Sequence, residues 1–196
     1  MKPWHRLTLA TVLGIAAGAS LAVYRVRGGL SAGQITNGPW ATAKTYGTKD
    51  ADALTRARVA LGGLLALPAK EAMYFTARTD SAGRHLDGKC TYYLNSQQVP
   101  ARWWSVTAYD ASGRLISSPT GRYSVGGILA FPGAQTASVI VGPKPTTLSK
   151  PIPLRMFVDT GGAKTFELTL RVYHPAPSIL TGPEGAYLPS ITRLSC

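Results

Sequence analysis

From Glu71 onward the apolar residues recur at every second position, and that period limits the chain to a β fold. Met73, Phe75 and Ala77 point one way, with Tyr74, Thr76 and Arg78 opposite. Cys90 to Leu94 is the next run. In Arg102 to Tyr109, Trp104, Val106 and Ala108 alternate with Trp103, Ser105 and Thr107. Arg122 to Val125, Thr136 to Val141, Leu154 to Asp159 and Phe166 to Tyr173 follow. In the last, Phe166, Leu168, Leu170 and Val172 face inward and Glu167, Thr169 and Arg171 outward. Asx- and Gly-rich turns separate the runs at Asp80–Gly83, Asp87-Gly88, Asp110–Gly113 and Thr160–Gly162. An open sheet of so many short strands would leave one apolar face and its edges bare. The expectation is therefore an all-β, jelly-roll-like antiparallel β-sandwich.

Before the sandwich the period is helical. Leu54, Ala57, Leu61, Leu64 and Leu65 fall on one face, which predicts an amphipathic helix over about Ala51–Ala66. Asp50 reads as its N-cap, Asp52 suits the first turn, and Pro68 ends it. Residues 28–48 are rich in Gly, Ser and Thr and read as a polar connector, with Trp40 and Tyr46 as the large apolar exceptions. The tail from Pro175, rich in Pro and Gly, reads as running over the surface and ending in a short Ile191–Cys196 segment. Three regions result: 1–27, 28–48, and a helix-plus-sandwich domain over 49–196.

Leu7–Tyr24 is 18 residues without a charge, between Lys2 and Arg6 on one side and Arg25 and Arg27 on the other. As a helix it spans about 27 Å, close to the hydrocarbon thickness of a bilayer. A retained single transmembrane helix and a cleaved signal peptide both fit. The apolar run continues beyond Ala19 to Tyr24 and is closed by two arginines, which favours retention. Either reading delivers the domain to the far side of the inner membrane, so the expected location is single-pass inner membrane with the domain in the periplasm. Gly14 and Gly18 form a GxxxG, a spacing that lets two membrane helices approach and self-associate.

The net charge is +12; without the four bases flanking the apolar segment, 17 basic residues face 9 acidic, a net +8. These bases are scattered singly, without the run or basic helix face that nucleic acid requires, so no nucleic-acid partner is expected. Cys90 and Cys196 are the two cysteines. In an oxidising compartment they are expected to form one disulfide; the competing reading is a buried Cys90 beside a free terminal thiol.

Recognisable catalytic motifs are lacking: the chain contains no GxSxG, HExxH, Walker A, GxGxxG or EF-hand loop. Two weaker constellations remain. Asp80, His85 and Asp87 share one hairpin region and are the candidate ligands for a divalent ion, although an Asx-built turn uses the same letters. Trp103 and Trp104 must face opposite ways, one into the core and one outward. The outward one, with Tyr109 or Tyr123, is a candidate stacking platform for a sugar or another flat ligand. Arg122-Tyr123 and Arg171-x-Tyr173 each set a cation beside an aromatic ring, as an anionic-ligand site or as cross-strand surface pairs. No cofactor is implied.

Trp103-Trp104-Ser105-Val106-Thr107-Ala108-Tyr109-Asp110 resembles the "(F/W)WSVTxYD" signature of the bacterial domain of unknown function 1214. Arg122-Tyr123-Ser124-Val125 is similar to its "RYSV" strand, and Leu170–Pro175 to its "LRxYxP" ending. The resemblance runs from Glu71 to about Ile191 and implies a jelly-roll-like sandwich of the short, membrane-anchored type. It implies as partner a separate protein carrying domain of unknown function 1254, which precedes this domain in longer relatives. Lys150-Pro151-Ile152-Pro153 stands where the family carries Asn-Trp-Leu-Pro. The family brings no catalytic residues with it. A non-catalytic binding or assembly module of the cell envelope is the leading expectation; an envelope enzyme acting on glycan or lipid, with metal assistance, is the alternative.

Overall fold

The structure, a computed structural model, describes residues 3–27, 34–61, 64, 66–97, 99–119, 121–127, 136–144 and 156–196. The strands within them are β1 (Ile35–Asn37), β2 (Trp40–Thr42), β3 (Ala72–Ala77), β4 (Thr91–Gln97), β5 (Ala101–Asp110), β6 (Ser124–Gly127), β7 (Thr136–Gly142), β8 (Phe157–Asp159), β9 (Phe166–Pro175) and β10 (Ser190–Ser195). Three α-helices accompany them: α1 (Pro3–Arg27), α2 (Ala53–Leu61) and α3 (Pro177–Thr181). A six-stranded sheet runs β1-β2-β3-β9-β5-β6, and a four-stranded sheet runs β10-β4-β7-β8. Every neighbouring pair is antiparallel except β7 with β8.

Period-two alternation does what it predicts. Met73, Phe75 and Ala77 of β3, Trp104, Val106 and Ala108 of β5 and Phe166, Leu168, Leu170 and Val172 of β9 are all buried in one cluster. Tyr92 and Leu94 of β4, Val139 and Val141 of β7, Val158 of β8 and Ile191 of β10 meet them from the other sheet. The two sheets thus share a single core. The edge of the Tyr92 ring packs on Phe166 at 5.7 Å between centroids, joining β4 to β9 across that core.

Cys90 and Cys196 are joined by a disulfide, with Cα atoms 3.8 Å apart and a sequence separation of 106. The bond ties the chain end to the start of β4, beside which β10 pairs from Ser190↔Asn95 to Ser195↔Thr91.

Four expectations need correction. Residues 34–48 are not merely a connector: β1 and β2 extend the large sheet, and Trp40 is fully buried in the core. The tail is equally structured. The Trp40 indole N–H donates to the Pro189 carbonyl at 2.6 Å, and Asn37 donates to the Pro183 and Ala186 carbonyls at 2.9 and 2.7 Å. Connector and tail therefore satisfy each other's polar groups, which neither could do alone. The predicted helix is shorter: α2 runs Ala53–Leu61, and Leu64 lies outside it. Its N-cap is Asp52 rather than Asp50: the Asp52 carboxylate accepts the Thr55 N–H at 2.7 Å. Leu65 and the Lys150–Pro153 stretch lie outside the described residues.

After α2, Leu64 packs with Tyr46, Ala72 and Tyr74 in a second, smaller cluster, with Val59 of α2 and Tyr173 against it. This cluster packs on the outer face of the large sheet around Tyr74 and Tyr173; farther along that face Ser105, Thr107 and Thr169 are buried, while Trp103 and Ser124 are exposed. Helix α1 is the one described helix long and apolar enough to cross a membrane; it is unburied along its length. It touches the domain through Arg58 of α2, which donates to the Arg25 carbonyl at 2.7 Å.

Candidate functional site

The outer face of the six-stranded sheet carries the residues that alternate away from the core. The β5–β9 register places Trp103 beside Tyr173, Ser105 beside Arg171, Thr107 beside Thr169 and Tyr109 beside Glu167. β3 adds Tyr74 next to Arg171 and Thr76 next to Thr169. β6 adds Gly126 next to Ser105 and Ser124 next to Thr107. The face is thus a hydroxyl-bearing strip, Thr76–Thr169–Thr107–Ser124, with large aromatic residues at either end of β5.

At one end Trp103 packs against Tyr173, ring centroids 5.0 Å apart and planes 50° from parallel. Trp103 remains 36% exposed, so part of its ring is free for a ligand. Gly126 gives the indole its seat: a Cβ there would stand 2.9 Å from the Trp103 ring and 2.5 Å from the Trp104 carbonyl oxygen. Further along β9, the Arg171 guanidinium donates to the Tyr109 hydroxyl at 2.6 Å and to Thr107 Oγ1 at 3.3 Å. Its Cζ lies 5.5 Å from the Tyr109 ring centroid. No carboxylate is within ion-pair distance of Arg171 among the described residues. Glu167 on the same face is held by Arg78 at 2.9 Å.

Of the seven aromatic and arginine candidates, the structure joins Trp103 with Tyr173, and Arg171 with Tyr109. Trp104 is not part of this face: it is 5% exposed and belongs to the core. Tyr109 serves Arg171 rather than acting with Trp103 as a single platform. Arg122 and Tyr123 precede β6 at the sheet edge, where Tyr123 is exposed and the Arg122 N–H donates to Ser118. The hydroxyl strip and the glycine seat escaped the sequence reading. Their signal was present in the alternation, because Ser105, Thr107 and Thr169 share a side with Trp103 and Tyr173, but short polar side chains look like ordinary solvated positions.

Asp80, His85 and Asp87 do not converge on an ion; among the described residues no three His, Cys, Asp or Glu side chains are placed to hold one. Asp80 is buried and fully engaged. Its carboxylate accepts the N–H groups of Ala82 and Arg84, each at 3.0 Å, and the Arg84 guanidinium at 2.8 Å; Arg193 stands 3.6 Å away. Burial raises its pKa, but the hydrogen bonds from Arg84 and Ala82 outweigh that and hold it below the usual carboxylate range. Asp87 accepts the Lys89 N–H, and His85 is exposed. Both aspartates are used as an Asx-built turn uses them, accepting backbone N–H groups two to four residues on. Asp110 repeats the device: Ser112 and Arg114 donate to it, it too is held low, and Gly83 and Gly113 adopt nearly the same positive φ, 80° and 79°.

A family described as protein of unknown function, DUF1214, matches residues 71–177. That match contains the whole of β5 and β9 and therefore the face just described. Among solved structures, the VPA0106 protein of Vibrio parahaemolyticus aligns over 100% of this chain at 24% identity with a TM-score of 0.57. The chain spans 46% of the length of that structure, so the likeness concerns the fold alone. A putative uncharacterized protein from Burkholderia cenocepacia aligns over 63% of this chain and 30% of its own, at 16% identity and a TM-score of 0.42. No curated protein matches. With the matched stretch covering more than half of the chain and both of its longest strands, this protein belongs to the DUF1214 family.

Proposed function

We propose that this chain is a membrane-tethered module of the cell envelope that works by binding, and that its binding surface is the accessible part of the outer face of the six-stranded sheet, around Trp103 and Arg171. One observation carries the reading: Trp103 and Arg171 sit on that face, beside the small cluster under α2, with a partly exposed ring and a charge that no carboxylate among the described residues matches. A half-exposed indole on a rigid sheet is costly to leave in water and useful to a ligand. The well-anchored carboxylates point the same way. Asp80 and Asp110 are held low by turn N–H groups, which stabilises the ionised form and makes them poor proton donors near neutral pH.

In this reading α1 remains as the inner-membrane anchor, and the domain lies in the periplasm. The chain passes back and forth between the sheets, from β3 to β4 to β5 and from β8 to β9 to β10, which supports a jelly-roll-like sandwich. A separate protein carrying domain of unknown function 1254 is the proposed protein partner, and Gly14 and Gly18, which face open space along α1, are the proposed contact between two anchors.

The test is cross-linking capture from native membranes with the wild-type chain and the Trp103→Ala variant. A bound component that is retained by wild type and lost by the variant is the expected result. Capture unaffected by Trp103→Ala, or turnover in a substrate screen, would overturn the reading. Intact-mass measurement of membrane-extracted protein tests the anchor; a mature chain beginning near Ser20 would remove it.

A further inference from the structure

We infer that the ligand of this face is an acidic saccharide, a sugar chain bearing hexuronate carboxylates. The inference rests on the binding role proposed above and adds the chemical class. Three features, in register on neighbouring strands, specify it.

The first is the Trp103–Tyr173 pair, with one ring partly exposed and fixed over Gly126. The C–H face of a pyranose stacks on such a ring, since an aromatic face is electron-rich and apolar. The second is Arg171, two residues before Tyr173 on β9 and so about 7 Å along the same face. Its guanidinium carries five N–H groups, of which two bonds to Tyr109 and Thr107 are described, and both partners are neutral hydroxyls. A carboxylate arriving beside it gains a charge-assisted, two-pronged hydrogen bond, and among the described residues no carboxylate holds that place already. The third is the pair of accessible hydroxyls at the ends of the strip, Thr76, partly exposed, and Ser124, exposed, with Thr169 and Thr107 buried between them. They alternate donors and acceptors as a sugar's own hydroxyls do.

Competing ligand classes fit less well. A protein partner needs an apolar centre, yet Trp103 is the sole exposed large hydrophobic residue on the described part of this face. A nucleic acid needs several cations spaced along its phosphates, and Arg78 is already spent on Glu167. A neutral sugar would leave Arg171 without a use. The surplus of positive charge over the chain favours an anion in general.

Isothermal titration of the detergent-solubilised full chain provides the test, with trigalacturonate, a glucuronate-containing hyaluronan tetrasaccharide, and fully methyl-esterified trigalacturonate as probes. Binding of at least one acidic probe is expected. The esterified probe should bind at least tenfold more weakly than trigalacturonate if trigalacturonate is the acidic ligand. Arg171→Gln and Trp103→Ala should each cost tenfold or more, with Trp103→Phe retaining most of the affinity and all variants keeping a cooperative melting transition within about 4 °C of wild type. No binding of either acidic probe, equal affinity for acid and ester, or an Arg171→Gln variant that binds as wild type would each overturn the acidic assignment. None of these outcomes touches the capture experiment with Trp103→Ala, so the binding role and the ligand class fail separately.

Discussion

Replacing Cys196 by alanine isolates the contribution of the Cys90–Cys196 disulfide, because Cys196 is an exposed chain end whereas Cys90 is 3% exposed and stays as a small buried hydrophobe. The bond closes a loop over a sequence separation of 106. Loop-closure entropy then gives about 4.8 kcal/mol of destabilisation of the unfolded chain at 25 °C. The native side offers little to offset this. β10 remains paired with β4, Ile191 remains in the core, and Arg193 still donates to the His85 carbonyl at 2.7 Å, so the tail is expected to stay docked. Some terminal fraying reduces the net effect to about 3–4 kcal/mol. For a chain of this size that corresponds to a fall in Tm of about 6–16 °C. The assay is thermal and urea unfolding of Cys196→Ala against wild type, with wild type repeated in reductant. Thiol counting on the denatured, non-reduced wild type should find none free. A fall below about 2 °C, or two free thiols in protein from its native compartment, would refute the cross-link argument.

Asp80→Asn keeps the shape of the side chain but loses its charge; with Arg84 partly exposed, the expected cost is about 2–3 kcal/mol by urea unfolding at pH 7. Because the folded-state pKa of Asp80 is depressed, its stabilisation is fully present above the unfolded carboxylate value near pH 4 and declines as pH falls through the lower folded value. The variant should therefore approach wild-type stability in strong acid. Gly88→Ala would drive a Cβ into the Ala163 carbonyl and should cost more than 2 kcal/mol, seen as a lower urea midpoint with the disulfide intact. Trp104→Ala should cost about 3–5 kcal/mol as a core truncation, whereas Trp103→Ala should cost about 1 kcal/mol or less; equal losses would contradict the opposite facing of the two indoles. Gly14→Ile with Gly18→Ile should weaken any dimer cross-linked in membranes, and an unchanged dimer yield would remove the helix contact from the proposal.

Local periodicity alone determined much of this molecule. Phe166, Leu168, Leu170 and Val172 had to face inward and Trp103 and Trp104 had to part, because successive side chains of a strand leave on opposite sides whatever the strand's neighbours are. Two cysteines in a chain read as exported likewise left one intramolecular pairing. Three-residue strands escape the same logic: β1 and β2 hold too few periods to register, so Ile35–Thr42 read as polar linker. Only the tertiary structure brings Trp40 to Pro189 and Asn37 to Pro183 and Ala186, contacts nearly 150 residues apart in sequence that no local pattern encodes. It also shows how the turn aspartates are used, since Asp80 accepts the N–H groups of Ala82 and Arg84 and Asp87 that of Lys89. And it assembled the candidate site. Trp103 and Tyr173, or Tyr109 and Arg171, become neighbours because β9 returns between β3 and β5, a choice of strand order set by how two sheets bury one core.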